Sequence, residues 1–133
     1  MKKVSSAFSL NIMVSRFYYI NRVRYHEMFW GNIMIKFDMI YAKDLPMIAR
    51  GREVVVIDLR SKEDYEKQHW PGAYSLPIDE MDDFQKILPK GRYYVLYCDH
   101  GGSSMMLARY LGNRGYLVGT VMGGFAALRN WVL

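Results

Sequence analysis

Between residues 37 and 133, short apolar runs alternate with segments whose apolar residues recur at helical spacing. The clearest run is Glu53–Ile57, where three valines and an isoleucine lead into Asp58; an uninterrupted run of this kind predicts a strand buried on both faces, as in a parallel sheet. Arg92–Tyr97 is a second aromatic and β-branched strand, and it runs directly into Cys98. Phe37–Tyr41, Ala73–Leu76 (stopped by Pro77) and Leu117–Val121 are the remaining strand candidates. Helices are expected over Ala42–Arg50 with Gly51 as stop, over Lys62–Lys67 with Ser61 as N-cap and Asp64 at the third helical position, and over Asp79–Leu88 before Pro89-Lys90-Gly91. Met105–Asn113, ended by Gly112, Asn113 and Gly115, and Phe125–Val132, after a Gly123-Gly124 turn, complete the set. Strands alternating with helices predict an α/β fold with a parallel sheet and right-handed crossovers.

Ligands of such sheets sit beyond the C-terminal ends of the strands, and Cys98 falls at one of those ends. It is followed by Asp99-His100-Gly101-Gly102-Ser103-Ser104 and then a helix. At a helix N-terminus several backbone N–H groups lack an intrahelical partner, and with the helix dipole they favour a thiolate over a thiol. Gly101 and Gly102 let the loop curl so that successive amides face one anion, while Ser103 and Ser104 can cap the helix or offer hydroxyls to a ligand. Asp99 opposes a thiolate and is expected to face outward; His100 is close enough to tune the sulfur, or points to solvent. The alternative for Cys98 is a buried, inert thiol. A polar loop with two glycines, opening a helix, is a poor place to bury one. The methionines at 105 and 106 and Leu107 are expected to be core contacts.

Composition sharpens this picture in two places. With 51% hydrophobic and 15% aromatic residues over 133 positions, the chain can bury one domain's core. Its single cysteine excludes an intrachain disulfide, a CxxC redox pair and a cysteine metal cage, and no metal or cofactor is expected; a cytoplasmic setting suits it. The net charge of +5 resides entirely in residues 1–37, which hold six basic side chains against Glu27, whereas residues 38–133 balance twelve against twelve. The basic pI therefore does not draw anions to Cys98 over long range. Residues 1–36 read as a basic and aromatic N-terminal extension, with Arg16, Arg22 and Arg24 among Phe17, Tyr18, Tyr19, Tyr25, Phe29 and Trp30. It contains neither a 20-residue apolar span nor a small-x-small cleavage site, so no membrane span or signal peptide is expected. An extra helix or arm packed on residues 37–133 is the favoured reading, contact with nucleic acid or an anionic membrane the lesser one, and a natural start at Met34 or Met39 a third.

Three separated motifs resemble the rhodanese-domain family. Asp58-Leu59-Arg60, Glu63-Asp64-Tyr65, His69-Trp70-Pro71-Gly72-Ala73 and Leu76-Pro77 resemble its strand end, helix and His-x-Pro-Gly-Ala turn. Cys98–Ser104 resembles its active-site loop, most closely that of the small single-domain thiosulfate sulfurtransferases, and Met122–Phe125 its terminal Gly-Gly-aromatic element. The resemblance spans residues 37–133. It implies a rhodanese-like three-layer fold, a central parallel five-stranded sheet flanked by helices, with Cys98 carrying a persulfide between half-reactions. Gln68 departs from the pattern, since relatives usually have Gly there, and Ser103 replaces an Arg common in relatives. Related cysteine phosphatases require a loop one residue longer, closed by an Arg that grips the phosphoryl oxygens. No Arg lies between Cys98 and Met105, so phosphatase chemistry is disfavoured.

The expected activity is sulfane-sulfur transfer from thiosulfate or another small anionic donor, through Cys98, to cyanide, an external thiol or a carrier protein. Asp99, His100, Gly101, Gly102, Ser103 and Ser104 are the expected substrate-binding residues. Asp58 and Arg60 are expected to form a supporting pair that shapes the loop, and His69 to hold its turn by hydrogen bonding. The competing readings are a non-catalytic rhodanese module that binds partners and a persulfide relay docked through the N-terminal arm. No nucleic-acid partner is expected.

Overall fold

The computed structural model describes residues 36–80 and 87–132. Five parallel strands form one sheet: β1 (Asp38–Ile40), β2 (Val54–Asp58), β3 (Tyr74–Ser75), β4 (Tyr93–Tyr97) and β5 (Leu117–Val121), in the spatial order β1-β5-β4-β2-β3. The helices are α1 (Leu45–Ile48), preceded by a 3-10 turn over Ala42–Asp44, then α2 (Lys62–Lys67), α3 (Gly102–Asn113) and α4 (Gly124–Leu128), which continues as a 3-10 turn over Arg129–Trp131. Among the described residues no helix is long and apolar enough to cross a membrane. The N-terminal extension lies outside the described residues, apart from Lys36.

All five residues of the central strand β4 are buried, and their alternation feeds two cores. Tyr93, Val95 and Tyr97 join Ile40, Ile48 and Phe125 on one face. Tyr94, Leu96 and Cys98 join Leu107, Ala108 and Leu111 of α3 on the other. This continuous burial is what the unbroken apolar run of a parallel strand anticipates. The β2 run begins half-buried at Val54 and Val55 and is fully buried from Val56 to Asp58.

Several local expectations need correction. The helix expected from Met105 begins at Gly102, because Gly101, with φ +105°, takes the N-cap position itself. Gly112 does not stop that helix; it is buried within it, where a Cβ would collide with the Lys36 carbonyl oxygen. Met106 is 73% exposed, on the outer face of α3 opposite Ser104, Leu107 and Leu111, while Met105 and Leu107 do pack on the core. The Asp79–Leu88 segment opens as a 3-10 turn over Ile78–Glu80, and residues 81–86 lie outside the described residues. Ser61 caps α2 as expected, its Oγ accepting from the Asp64 amide at 3.2 Å.

Candidate active site

Register places the site. Asp58 and Tyr97 are paired across β2 and β4, so Arg60 and Cys98 leave the sheet side by side at its C-terminal edge. Cys98 follows Leu96 on the α3 face and is 8% exposed. Its Sγ accepts from the amides of Gly101 at 3.2 Å and Ser104 at 3.4 Å, the arrangement of a small anion nest. Gly101 reaches this geometry with a positive φ that side-chain-bearing residues rarely adopt. The amides of Asp99, His100, Gly102 and Ser103 have no hydrogen-bond acceptor among the described residues.

Each residue expected at the loop has a distinct position. Asp99, His100, Gly102 and Ser103 are exposed, whereas Gly101 and Ser104 are buried. Neither serine caps α3: both lie inside it, and Gly101 is the N-cap. The Ser104 hydroxyl instead sits 3.5 Å from Cys98 Sγ, donates to the Gly101 carbonyl at 3.2 Å, and lies 2.7 Å from Thr120 Oγ1. Thr120, on β5, was not anticipated; a threonine in a strand carries no local mark of such pairing.

The Asp58–Arg60 pair is present and buried. Arg60 Nε meets Asp58 Oδ1 at 3.0 Å and Nη2 meets Oδ2 at 2.7 Å, while Nη2 also donates to the Gln68 carbonyl at 2.6 Å. Tyr97 Oη donates to Asp58 Oδ2 at 2.6 Å and accepts from the Trp70 amide at 3.0 Å. Burial, seconded by the hydrogen bond to Asp58, raises the pKa of the Tyr97 phenol. Burial lowers the Arg60 pKa, but the hydrogen bonds and charge of Asp58 outweigh it and the net displacement is upward. These charges are mutually satisfied, and none contacts Cys98.

Their influence passes through α4. The Phe125 ring covers the Arg60 guanidinium, and the Phe125 amide donates to the Cys98 carbonyl at 2.7 Å. The Ala126 amide donates to the Asp99 carbonyl at 3.1 Å. Such an approach requires glycine at 124: a Cβ there would strike the Cys98 carbonyl oxygen and lie 2.8 Å from the Asp99 carbonyl. The Gly-Gly-aromatic element is thus the clamp that holds the cysteine loop. The opposite wall is the turn after α2, where His69 Nδ1 lies 2.7 Å from the Tyr65 carbonyl and its ring stacks on Tyr65 at 3.7 Å. Gln68 is extended there, with φ −167°, so the missing glycine costs nothing. Between clamp and turn lies a cleft of about 280 Å³ lined by Arg60, Lys67, Asp99, His100, Phe125 and Arg129.

Residues 42–130 match the family model described as the rhodanese-like domain. The chain belongs to the rhodanese-like domain family. It is 41% identical over 75 residues to a tRNA sulfurtransferase of Desulfurococcus amylolyticus, a match that covers 56% of this chain and 15% of the relative. It is 29% identical over 79 residues to the thiosulfate sulfurtransferase GlpE of Coxiella burnetii, covering 59% of this chain and 74% of that protein. In structure it resembles a rhodanese-related protein of Thermoplasma volcanium, with a TM-score of 0.64 and 24% identity over 71% of this chain and 96% of the other, a likeness of fold. The three-layer rhodanese architecture implied by the sequence motifs is therefore the one the chain adopts.

Proposed function

We propose that the chain is a sulfurtransferase of the thiosulfate type, with Cys98 as the sulfur carrier. The observation that carries this reading is the pair of amides, from Gly101 and Ser104, aimed at the sulfur of the chain's one cysteine. The thiolate attacks the outer sulfur of thiosulfate; an S–S bond forms at Cys98, the sulfur–sulfur bond of the donor breaks, and sulfite leaves with the electron pair. The amides of Asp99, His100, Gly102 and Ser103, which have no acceptor among the described residues, are the donors we assign to the outer, anionic sulfur of the persulfide. Cyanide or a thiolate then attacks that outer sulfur and Cys98 departs as thiolate. With no second cysteine, the acceptor is external.

The cleft beside the loop is lined by Asp99 and His100 and not by Cys98 itself, so it offers room for a charged group next to the loop rather than at the sulfur. Lys67 and Arg129 make no ion pair with a described residue and face the same space as Asp64 and Asp99. Two charges of each sign leave little long-range attraction for a dianion, so binding is short-range and a modest affinity for thiosulfate is expected. The nearest arginine following Cys98 is Arg109, exposed on α3, and the phosphatase reading stays disfavoured for want of an electrophile in the loop.

The test is a thiosulfate–cyanide assay on the wild type and Cys98→Ser, with intact mass after donor treatment. One added sulfur on the wild type alone, and thiocyanate formation from it alone, is the expected result; equal activity in both proteins refutes the reading. The 41% identity to a tRNA sulfurtransferase favours a second acceptor class, sulfur delivery toward tRNA thiolation. Thiolated nucleosides measured by mass spectrometry in cells lacking the gene, complemented with wild type or Cys98→Ser, separate the two. Unchanged thiolation removes this second reading and leaves the first intact.

A further inference from the structure

The buried hydroxyl pair behind the cysteine is not part of the amide nest, and its chemistry goes further. Ser104 is 0% exposed and Thr120 is 1% exposed. Thr120 stands opposite Leu96 in the β4–β5 ladder, two residues before Cys98, and Ser104 is the hydrogen-bond partner of its hydroxyl among the described residues.

Ser104 owns one hydroxyl proton, and three oxygen or sulfur atoms surround it: Gly101 O at 3.2 Å, Cys98 Sγ at 3.5 Å and Thr120 Oγ1 at 2.7 Å. Beside a neutral thiol, the S–H donates to Ser104 Oγ and the serine proton rests on the Gly101 carbonyl. Beside a thiolate or persulfide the demand reverses, because an anionic sulfur gains more from a donor than a carbonyl does. The serine proton can turn to sulfur without stranding that carbonyl, which also accepts from the Met105 amide at 3.1 Å. What the turned hydroxyl needs is a donor to its own lone pair, and Thr120 is placed to be that donor.

We propose that Thr120 is a positioning residue for sulfur transfer: its hydroxyl donates to Ser104 Oγ and so directs the Ser104 proton onto Cys98 Sγ when that sulfur is anionic. The proposal rests on the reading of Cys98 as the reactive sulfur. No proton leaves the pair; one hydroxyl rotates and one donor is reassigned. The polarised chain Thr120–Ser104–Cys98 strengthens the last bond.

Thr120→Val removes the hydroxyl at nearly constant shape. Cys98, as the single cysteine, is alkylated with iodoacetamide and followed by intact mass, alongside sulfur loading from thiosulfate. Thr120→Val is expected to slow both by about fivefold at neutral pH, and Thr120→Ser to restore both to within about twofold of wild type. In a Ser104→Ala background, Thr120→Val should add nothing, since the threonine then has no proton to direct. Unchanged rates in folded Thr120→Val, a Thr120→Ser protein as slow as the valine variant, or full additivity with Ser104→Ala would each overturn the proposal. Should the valine variant not fold, Thr120→Ala replaces it in the same comparison. Absence of sulfur loading in the wild type refutes the sulfurtransferase reading instead, and leaves the alkylation comparison standing.

Discussion

The Arg60 guanidinium carbon lies 3.8 Å from the centre of the Phe125 ring, and through that contact a buried ion pair supports the cysteine loop. Arg60 is forked onto Asp58, and Phe125 hands its amide to the Cys98 carbonyl. The pair and the loop are thus successive links in one chain of contacts, although Asp58 and Arg60 do not touch the sulfur.

Replacing Arg60 with Met should be costly. It leaves Asp58, which is 0% exposed, with the Tyr97 hydroxyl and the backbone amide of residue 60 but no countercharge, and loss of one partner of a buried pair costs about 3–5 kcal/mol. Arg60→Lys keeps the charge but loses the fork and the flat stack on Phe125, and should fall between Met and wild type. Urea denaturation of the three proteins checks the order. Sulfur loading at a temperature where all are folded should decline in the same order, because Phe125 loses its platform.

The strands and the place of Cys98 at the edge of the sheet were legible in the sequence because both are local. An unbroken β-branched run marks β2 and an unbroken aromatic and aliphatic run marks β4, and Cys98 stands where the latter stops and a polar, glycine-containing loop begins. Gly112 misled for the same reason: a glycine near a helix end reads as a stop, but here its missing side chain makes room for the Lys36 backbone, 76 positions earlier in the chain. Thr120 and Ser104 are brought together only by the crossover that lays β5 beside β4, so neither residue's neighbours announce the contact. Asp58–Arg60 lay between these cases, since two residues of opposite charge at i and i+2 can pair locally, but the route through Phe125 is tertiary.

Gly124→Ala tests the clamp directly. The residue has φ +59° and an added Cβ would meet the Cys98 and Asp99 carbonyls, both backbone atoms that cannot step aside alone. The loop must shift away from α4, breaking the hydrogen bonds that the Phe125 and Ala126 amides donate to those carbonyls. A loss of about 2–4 kcal/mol is expected from strain and lost hydrogen bonds together. Thermal unfolding measures it. Alkylation of Cys98 in the folded variant should also become slower, as the Gly101 and Ser104 amides lose their aim.

Ser61→Ala serves as a remote comparison. Ser61 is exposed and its Oγ satisfies the Asp64 amide at the start of α2, a contact worth about 1 kcal/mol. Denaturation should show that loss and no more, while the rates of Cys98 alkylation and sulfur loading stay at wild-type values. A parallel fall in loading would mean that α2 is coupled to the loop more tightly than its contacts indicate.

Alkaline pH should weaken the fold in a way that Tyr97 dominates. Burial raises the pKa of the Tyr97 phenol, and burial likewise raises that of Tyr94, whose hydroxyl donates to the Pro89 carbonyl. In the unfolded chain both phenols lose their protons near pH 10, whereas the folded protein holds them to higher pH. Folding therefore favours the protonated form, so this part of the stability is fully present below about pH 10 and is lost as pH rises beyond it. Urea midpoints for the wild type should fall between about pH 9 and pH 11. Tyr97→Phe should start from a lower midpoint at pH 9, because Asp58 and the Trp70 amide each lose a partner, and should then decline less steeply. If the two proteins lose stability in parallel across that interval, the buried phenol is not the group that sets the alkaline limit.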